Sequence, residues 1–208
     1  MTSMTIMPIF ASNLVITNVD EKFNDIDKDK IMFRQNIGKG QTTDISISKY
    51  VLEEYPKLGT HILNIFNEYS FNTLRYKNKF SYSTSWFVRS KPDDFCRYHH
   101  HCNSFYSGLF YFDDYNYESG DICFLNPNVQ IEKFFINVKN KEDVNIHNAK
   151  EWLIRPEKNL LIFFPSYLWH TIITNTSNEP RHSLAFNLIP IGEYGLGDST
   201  YNTEWFEK

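Results

Sequence analysis

From Phe80 onward the chain adopts a hydrophobic period of two and keeps it. In "FSYSTSWFV", Phe80, Tyr82, Thr84, Trp86 and Val88 alternate with Ser81, Ser83, Ser85 and Phe87, the pattern of a half-buried strand with one wet face. The runs "SGLFYFD", "DICFL", "KFFINV", "NLLIFF", "LWHTIIT" and "RHSLAFNLI" follow, separated by "NYESG", "NPN", "PS" and "TSNEP". Short strands punctuated by turn residues, with no helix-length pattern between most of them, predict an antiparallel sandwich or barrel. The aromatic content agrees: 18 Phe, 13 Tyr and 4 Trp make up 17% of the residues, and aromatic side chains favour a pleated, half-buried surface.

The part before Phe80 reads differently. "NLVITNV" is short and apolar, "DEKFNDIDKDK" is charged, and "IGKGQ" is a Gly-rich turn. In "PKLGTHILNIFNEYS", Leu58, Ile62, Ile65, Phe66 and Tyr69 share one helix face. Pro56 suits the first helical turn, while Gly59 weakens the pattern. Further on, the polar stretch from Asn137 to Lys150 reads as a surface loop.

Charge and cysteine usage narrow the function classes. A net charge of -4 supplies no basic field for nucleic acid. The first residues lack the basic start of a signal peptide, and no segment approaches the length of a membrane span. Cys96, Cys102 and Cys123 are odd in number and sparse, which argues against a disulfide framework. A cytoplasmic protein without a nucleic-acid or membrane partner is the expectation.

The residues able to carry chemistry cluster around "RYHHHCNSFYSGLFYF". His99 and His101, two residues apart on an extended backbone, point the same way, and His100 points away. Neutral imidazole is a frequent ligand for iron, zinc and copper. A third candidate, His170 in "FPSYLWHTIITN", must be brought in by the fold. Arg181 opens "RHSLAFNL", where Arg181, Ser183, Ala185 and Asn187 share one face and His182, Leu184, Phe186 and Leu188 the other. An Arg and a Ser on a small, polar face suit the lining of a cavity that holds an organic acid, because the guanidinium fork binds carboxylate through two parallel hydrogen bonds. Each residue also has a plainer reading. The histidines could be hydrogen-bonded core or surface residues, Arg181 a turn-flanking partner of Glu179, and Tyr111 core filling. Trp86, Trp152 and Trp169 read as core or pocket wall. A mixed site of Cys96, Cys102 and histidine lacks the paired-cysteine spacing of structural zinc.

Taken in order, "HHHCNSFYSGLFYF", "GDICFLNP" and "LLIFFPSYLWHTIITNTSNEPRHSLAFN" resemble the iron(II)/2-oxoglutarate-dependent oxygenases of bacteria and phages, relatives of the prolyl 4-hydroxylases. The resemblance spans roughly Phe80 to Ile189. It implies a mainly β (α+β) fold, a double-stranded β-helix of the jelly-roll or cupin-like kind with N-terminal supporting helices. The expected layout is a single domain over 1–208: support over 1–78, β-helix core over 79–190 and a tail over 191–208. It further implies Fe(II) held by His99, His101 and His170, with 2-oxoglutarate and O2 as co-substrates. Arg181 would bind the far carboxylate of 2-oxoglutarate, with Tyr111 and Ser183 beside it. The implied reaction is hydroxylation of an unactivated C–H bond in a small-molecule or peptide substrate, with release of succinate and CO2.

One departure from the wider superfamily stands out. His101 occupies the position of a carboxylate ligand, which gives a three-histidine set. Asp93, Asp94, Asp113 and Asp114 lie near enough in sequence to supply a displaced carboxylate. The competing expectation is a non-catalytic jelly-roll module that binds metal or another ligand, or serves a structural role.

Overall fold

A computed structural model describes residues 4–5, 7, 11–36, 42–127 and 144–203. Two antiparallel sheets carry the architecture. Among the described residues the larger one has seven strands in the order β1-β8-β5-β10-β4-β3-β2, and the smaller has three, β7-β6-β9. The strands are β1 (Val15–Asn18), β2 (Phe33–Gln35), β3 (Asp44–Ser46), β4 (Phe80–Ser90), β5 (Tyr106–Phe110) and β6 (Ile122–Leu125). They continue with β7 (Glu151–Ile154), β8 (Leu160–Pro165), β9 (His170–Ile172), β10 (Arg181–Pro190), β11 (Glu193–Tyr194) and β12 (Tyr201–Asn202). The last two pair with each other. The runs "IGKGQ" and "KFFINV" and the first half of the 137–150 loop lie outside the described residues, whereas 144–150 is described and largely exposed.

Strand periodicity sorts the side chains into two apolar layers. On β8, Leu161 and Phe163 face one layer while Leu160, Ile162 and Phe164 face the other. On β10, Leu184, Phe186 and Leu188 join the first layer, and Ala185 the second. The first layer lies under helices α1 (Val51–Glu54) and α2 (Pro56–Tyr69). The second lies between the two sheets, where the small sheet contributes Ile122 and Phe124. A sheet covered on both faces explains why its central strands read as nearly continuous apolar runs.

Helix α2 forms where its spacing places it, with Pro56 in the first turn and Leu58, Ile62 and Phe66 buried. The Phe66 ring meets Phe80, Tyr106 and Phe163 at centroid distances of 5.1, 5.0 and 5.3 Å. Gly59 is an asset to the helix here, because a Cβ on it would lie 3.1 Å from the Leu52 carbonyl oxygen. Its absence lets α1 and α2 close together.

Two features differ from the sequence expectation. The first 78 residues are not only helical and irregular: β1 pairs with β8, β3 with β4, and β2 with β3, extending the large sheet at both edges. These strands of three or four residues are too short to show a period. Strand β4, in turn, does not keep one face throughout. Its pairing with β10 shifts between Asn187–Thr84 and Leu188–Tyr82, which leaves Ser83 as the extra residue of a bulge. Phe80 and Tyr82 therefore join Phe87 in the layer under the helices, while Thr84, Trp86 and Val88 turn to the opposite side. Neither face is wet, since Ser85 is buried and accepts a hydrogen bond from the Leu52 amide.

Candidate metal and co-substrate site

The three histidines meet. The segment leading to His101 runs beside β9, and His99 and His170 form an antiparallel bridge in which each amide donates to the other's carbonyl at 2.9 Å. Two residues on, the His101 amide donates to the Ser166 carbonyl at 2.9 Å. This extended backbone puts His99 and His101 on one side. His100 faces away, its ring 4.8 Å from that of Trp169. One ligand atom from each of His99, His101 and His170 lies within 4.8 Å of the others.

Hydrogen bonds fix which atom that is. The Nδ1 of His99 reaches the Arg97 carbonyl at 2.9 Å, and that of His170 the Leu168 carbonyl at 2.8 Å. A carbonyl can only accept, so both Nδ1 atoms carry the proton and both Nε2 atoms keep a lone pair. The Nδ1 of His101 lies 2.6 Å from Asn187 Oδ1 and 2.8 Å from Ser107 Oγ. Burial lowers the pKa of all three imidazoles, to about 4 for His101 and about 3 for His170. They are neutral near pH 7 and need lose no proton to bind a metal. Three neutral imidazoles on one side of a small space fit a divalent first-row metal with coordination positions to spare.

No carboxylate joins this cluster among the described residues. Asp113 is held by Lys28 at 2.8 Å and by His182 at 3.0 Å, and Asp114 faces Lys158 at 3.2 Å. Asp94 accepts from the Lys91 amide at 2.8 Å. The cysteines are not part of the ligand cluster either, although Cys96 lines the same cavity with its Sγ 3.6 Å from His99 Nδ1. Burial pushes the Cys96 thiol up to about 11, so it is protonated near neutral pH, and Cys102 is exposed beside His100. Of the described tryptophans, Trp86 is pocket wall, whereas Trp152 and Trp169 are exposed at 38% and 42%.

The histidines open onto a cavity of about 400 Å³. Trp86, Val88, Leu109, Ile122, Phe164 and Ile172 give it apolar walls, and Thr43, Thr84 and Lys49 add polar groups. Ser183 and Ala185 line it, and Asn187 follows them on the same face of β10. At the other end of that row is Arg181, opposite Ser90 of β4 and itself not among the cavity-lining residues. Its guanidinium is buried 5.0 Å from the Tyr111 ring centroid, and none of its three nitrogens has a hydrogen-bond partner among the described residues. The Tyr111 hydroxyl, equally buried, also lacks one among them. A buried cation without an acceptor is costly unless an anion completes it, and the donors here match a carboxylate.

The "SG" of the first motif has a physical reading. Ser107 sits against His101, while a Cβ on Gly108 would fall 2.1 Å from Cζ of Phe186. Asn187 and Ser107 were not among the sequence candidates for the site. For Asn187 the signal existed, since it shares the alternating face of Arg181 and Ser183.

The family model described as "Putative 2OG-Fe(II) oxygenase" matches residues 84–187, half of the chain. No curated protein gives a significant match. Among solved structures, a prolyl-4-hydroxylase from Pseudomonas putida aligns with a TM-score of 0.57 at 11% identity, over 85% of this chain and 92% of that one. The α-ketoglutarate-dependent epimerase SnoN from nogalamycin biosynthesis aligns with a TM-score of 0.60 at 11% identity, over 89% and 82%. HygX from Streptomyces hygroscopicus, with nickel and 2-oxoglutarate bound, gives 0.56 at 9% identity, over 86% and 83%. At such identities the likeness speaks for the fold, a double-stranded β-helix, while the family match speaks for the class of enzyme and its iron and 2-oxoglutarate. The chain belongs to the 2OG-Fe(II) oxygenase family and is a 2-oxoglutarate-dependent non-haem iron oxygenase.

Proposed function

We propose that the protein hydroxylates an unactivated C–H bond, converting 2-oxoglutarate and O2 to succinate and CO2 as it does so, with His99, His101 and His170 holding Fe(II). Arg181 takes the far carboxylate of 2-oxoglutarate, assisted by the Tyr111 hydroxyl and flanked by Ser183. The observation that carries this reading is the buried guanidinium of Arg181, without an acceptor among the described residues, on the same face of β10 as the cavity-lining Ser183 and Ala185. Bound Fe(II) and 2-oxoglutarate together supply the activation of O2. The protein's part is to hold and to exclude: three neutral imidazoles face one point, a cation awaits the acid, and apolar walls keep water from the reacting carbon. A cavity of about 400 Å³ suits a small molecule or one side chain of a peptide as the substrate. Residues 1–208 act as one domain in this reading.

Succinate formation by the iron-loaded protein tests it. Wild type should form succinate from 2-oxoglutarate under air even without the primary substrate, slowly and in proportion to bound iron. Replacing Arg181 by Met removes a charge-assisted contact of about 1.5–3 kcal/mol, so the apparent affinity for 2-oxoglutarate should drop roughly 10–100-fold. Iron-loaded wild type that forms no succinate would contradict the reading.

A further inference from the structure

The three metal-facing imidazoles are oriented by different means. Those of His99 and His170 donate to carbonyls two residues earlier in the chain, Arg97 and Leu168. These bonds are local and survive any side-chain change in the partner. The third imidazole depends on a residue 86 positions away: Asn187 Oδ1 lies 2.6 Å from His101 Nδ1.

An amide can present either its oxygen or its nitrogen, and the two choices have opposite consequences. With Oδ1 toward His101, Nδ1 carries the proton and Nε2 keeps the lone pair that a metal needs. With Nδ2 there, Nδ1 would have to accept and the proton would move to Nε2, which then could not bind metal. Coordination of a metal through Nε2 requires the first arrangement, and two hydroxyl neighbours, each able to donate or accept, accommodate it. Asn187 Nδ2 donates to Thr84 Oγ1 at 3.1 Å, and Ser107 Oγ donates to Asn187 Oδ1 at 2.8 Å. Ser107 is held in turn by Ser166 Oγ at 2.8 Å. Thr84 stands opposite Asn187 because the bulge at Ser83 shifts the pairing of β4 with β10 at that point.

We propose that Asn187 is a positioning residue for the metal site: its side-chain oxygen, aimed by Thr84 and Ser107, accepts the Nδ1 proton of His101 and thereby commits Nε2 to the metal. This rests on His101 being a metal ligand. Where the superfamily places a charged ligand, this chain places a neutral one whose donor strength is set by an uncharged acceptor behind it. Outer partners of this kind typically alter metal affinity by about 10–100-fold.

The test is anaerobic Co(II) and Fe(II) binding by calorimetry on the full chain, with the Co(II) absorption spectrum and the Fe(III)/Fe(II) potential recorded alongside. His101→Ala reports on the underlying reading; the Asn187 variants report on the proposal. Asn187→Leu, similar in size but unable to accept, should lose roughly 10–100-fold in affinity and change the Co(II) spectrum while circular dichroism stays that of wild type. Asn187→Asp offers only acceptors, so it should restore affinity to within a few-fold of wild type and lower the potential, since a carboxylate makes the imidazole more basic. Thr84→Val should give an intermediate loss, because the amide is no longer aimed. If His101→Ala binds metal like wild type, the ligand assignment fails and the proposal with it. If His101→Ala loses affinity but Asn187→Leu keeps both affinity and spectrum, the proposal alone is overturned. A folding defect in Asn187→Leu leaves Asn187→Asp to decide: unchanged potential and spectrum would count against the role.

Discussion

His99 and His170, 71 residues apart in sequence, exchange both of their main-chain hydrogen bonds at 2.9 Å and bring their rings to a centroid distance of 4.4 Å. The site is therefore anchored by backbone pairing between the segment before β5 and strand β9, and the side chains inherit their positions from it. His170→Ala should keep the bridge and the fold but remove one ligand. Its loss in Fe(II) affinity should exceed the roughly 10–100-fold typical of an outer partner, as measured by anaerobic calorimetry.

In the proposed function Arg181 makes opposite demands on the free and the loaded protein. Its guanidinium is buried without an acceptor among the described residues, so Arg181→Met should raise the stability of the ligand-free protein by about 1–4 kcal/mol, as replacement of buried charges often does. Added 2-oxoglutarate should raise the melting temperature of wild type with metal bound and leave that of the variant nearly unchanged. A thermal-shift series with and without 2-oxoglutarate checks both halves.

The buried imidazoles set a pH dependence with a definite sign. His101 and His170 titrate near 4 and near 3 in the folded protein, against 6.5 when unburied. Between those values the unfolded chain binds more protons than the folded one, so stability present above about pH 6.5 is lost as pH falls toward the folded values. The melting temperature of the metal-free protein should drop as pH is lowered from about 7 to about 5. His170→Asn should flatten that drop.

The core offers two sharp checks on the packing that supports the site. Phe66 is fully buried among Phe80, Tyr106 and Phe163, and Phe66→Ala should cost about 3–5 kcal/mol. Gly108→Ala drives a methyl group into the Phe186 ring and should cost about 1–3 kcal/mol. Chemical denaturation measures both.

Much of the fold is legible in the amino-acid sequence, because strands β5, β6, β8, β9 and β10 are bounded by turn residues and rich in aromatic and β-branched side chains. Helix α2 shows itself through the spacing of Leu58, Ile62 and Phe66. The short strands β1, β2 and β3 do not, since three or four residues are too few to display a period. The switch of face in β4 is equally hidden: a bulge at Ser83 is a property of the pairing with β10, and no local pattern encodes it. The same holds at the site. The spacing of His99 and His101 implies a shared direction, and the alternation of Arg181, Ser183, Ala185 and Asn187 implies a shared face. That His170 lies across from His99, and that Asn187 stands behind His101, are tertiary facts.

The central claim is that three histidines and Arg181 form one site for iron and 2-oxoglutarate. Anaerobic titration of the metal-free protein with Fe(II) and then 2-oxoglutarate tests it most directly, through the visible charge-transfer band of a chelated Fe(II)–2-oxoacid complex. Wild type should develop the band, and Arg181→Ala and His170→Ala should weaken or lose it. Confirmed iron binding with no band in wild type, or a band left unchanged in both variants, would contradict the account.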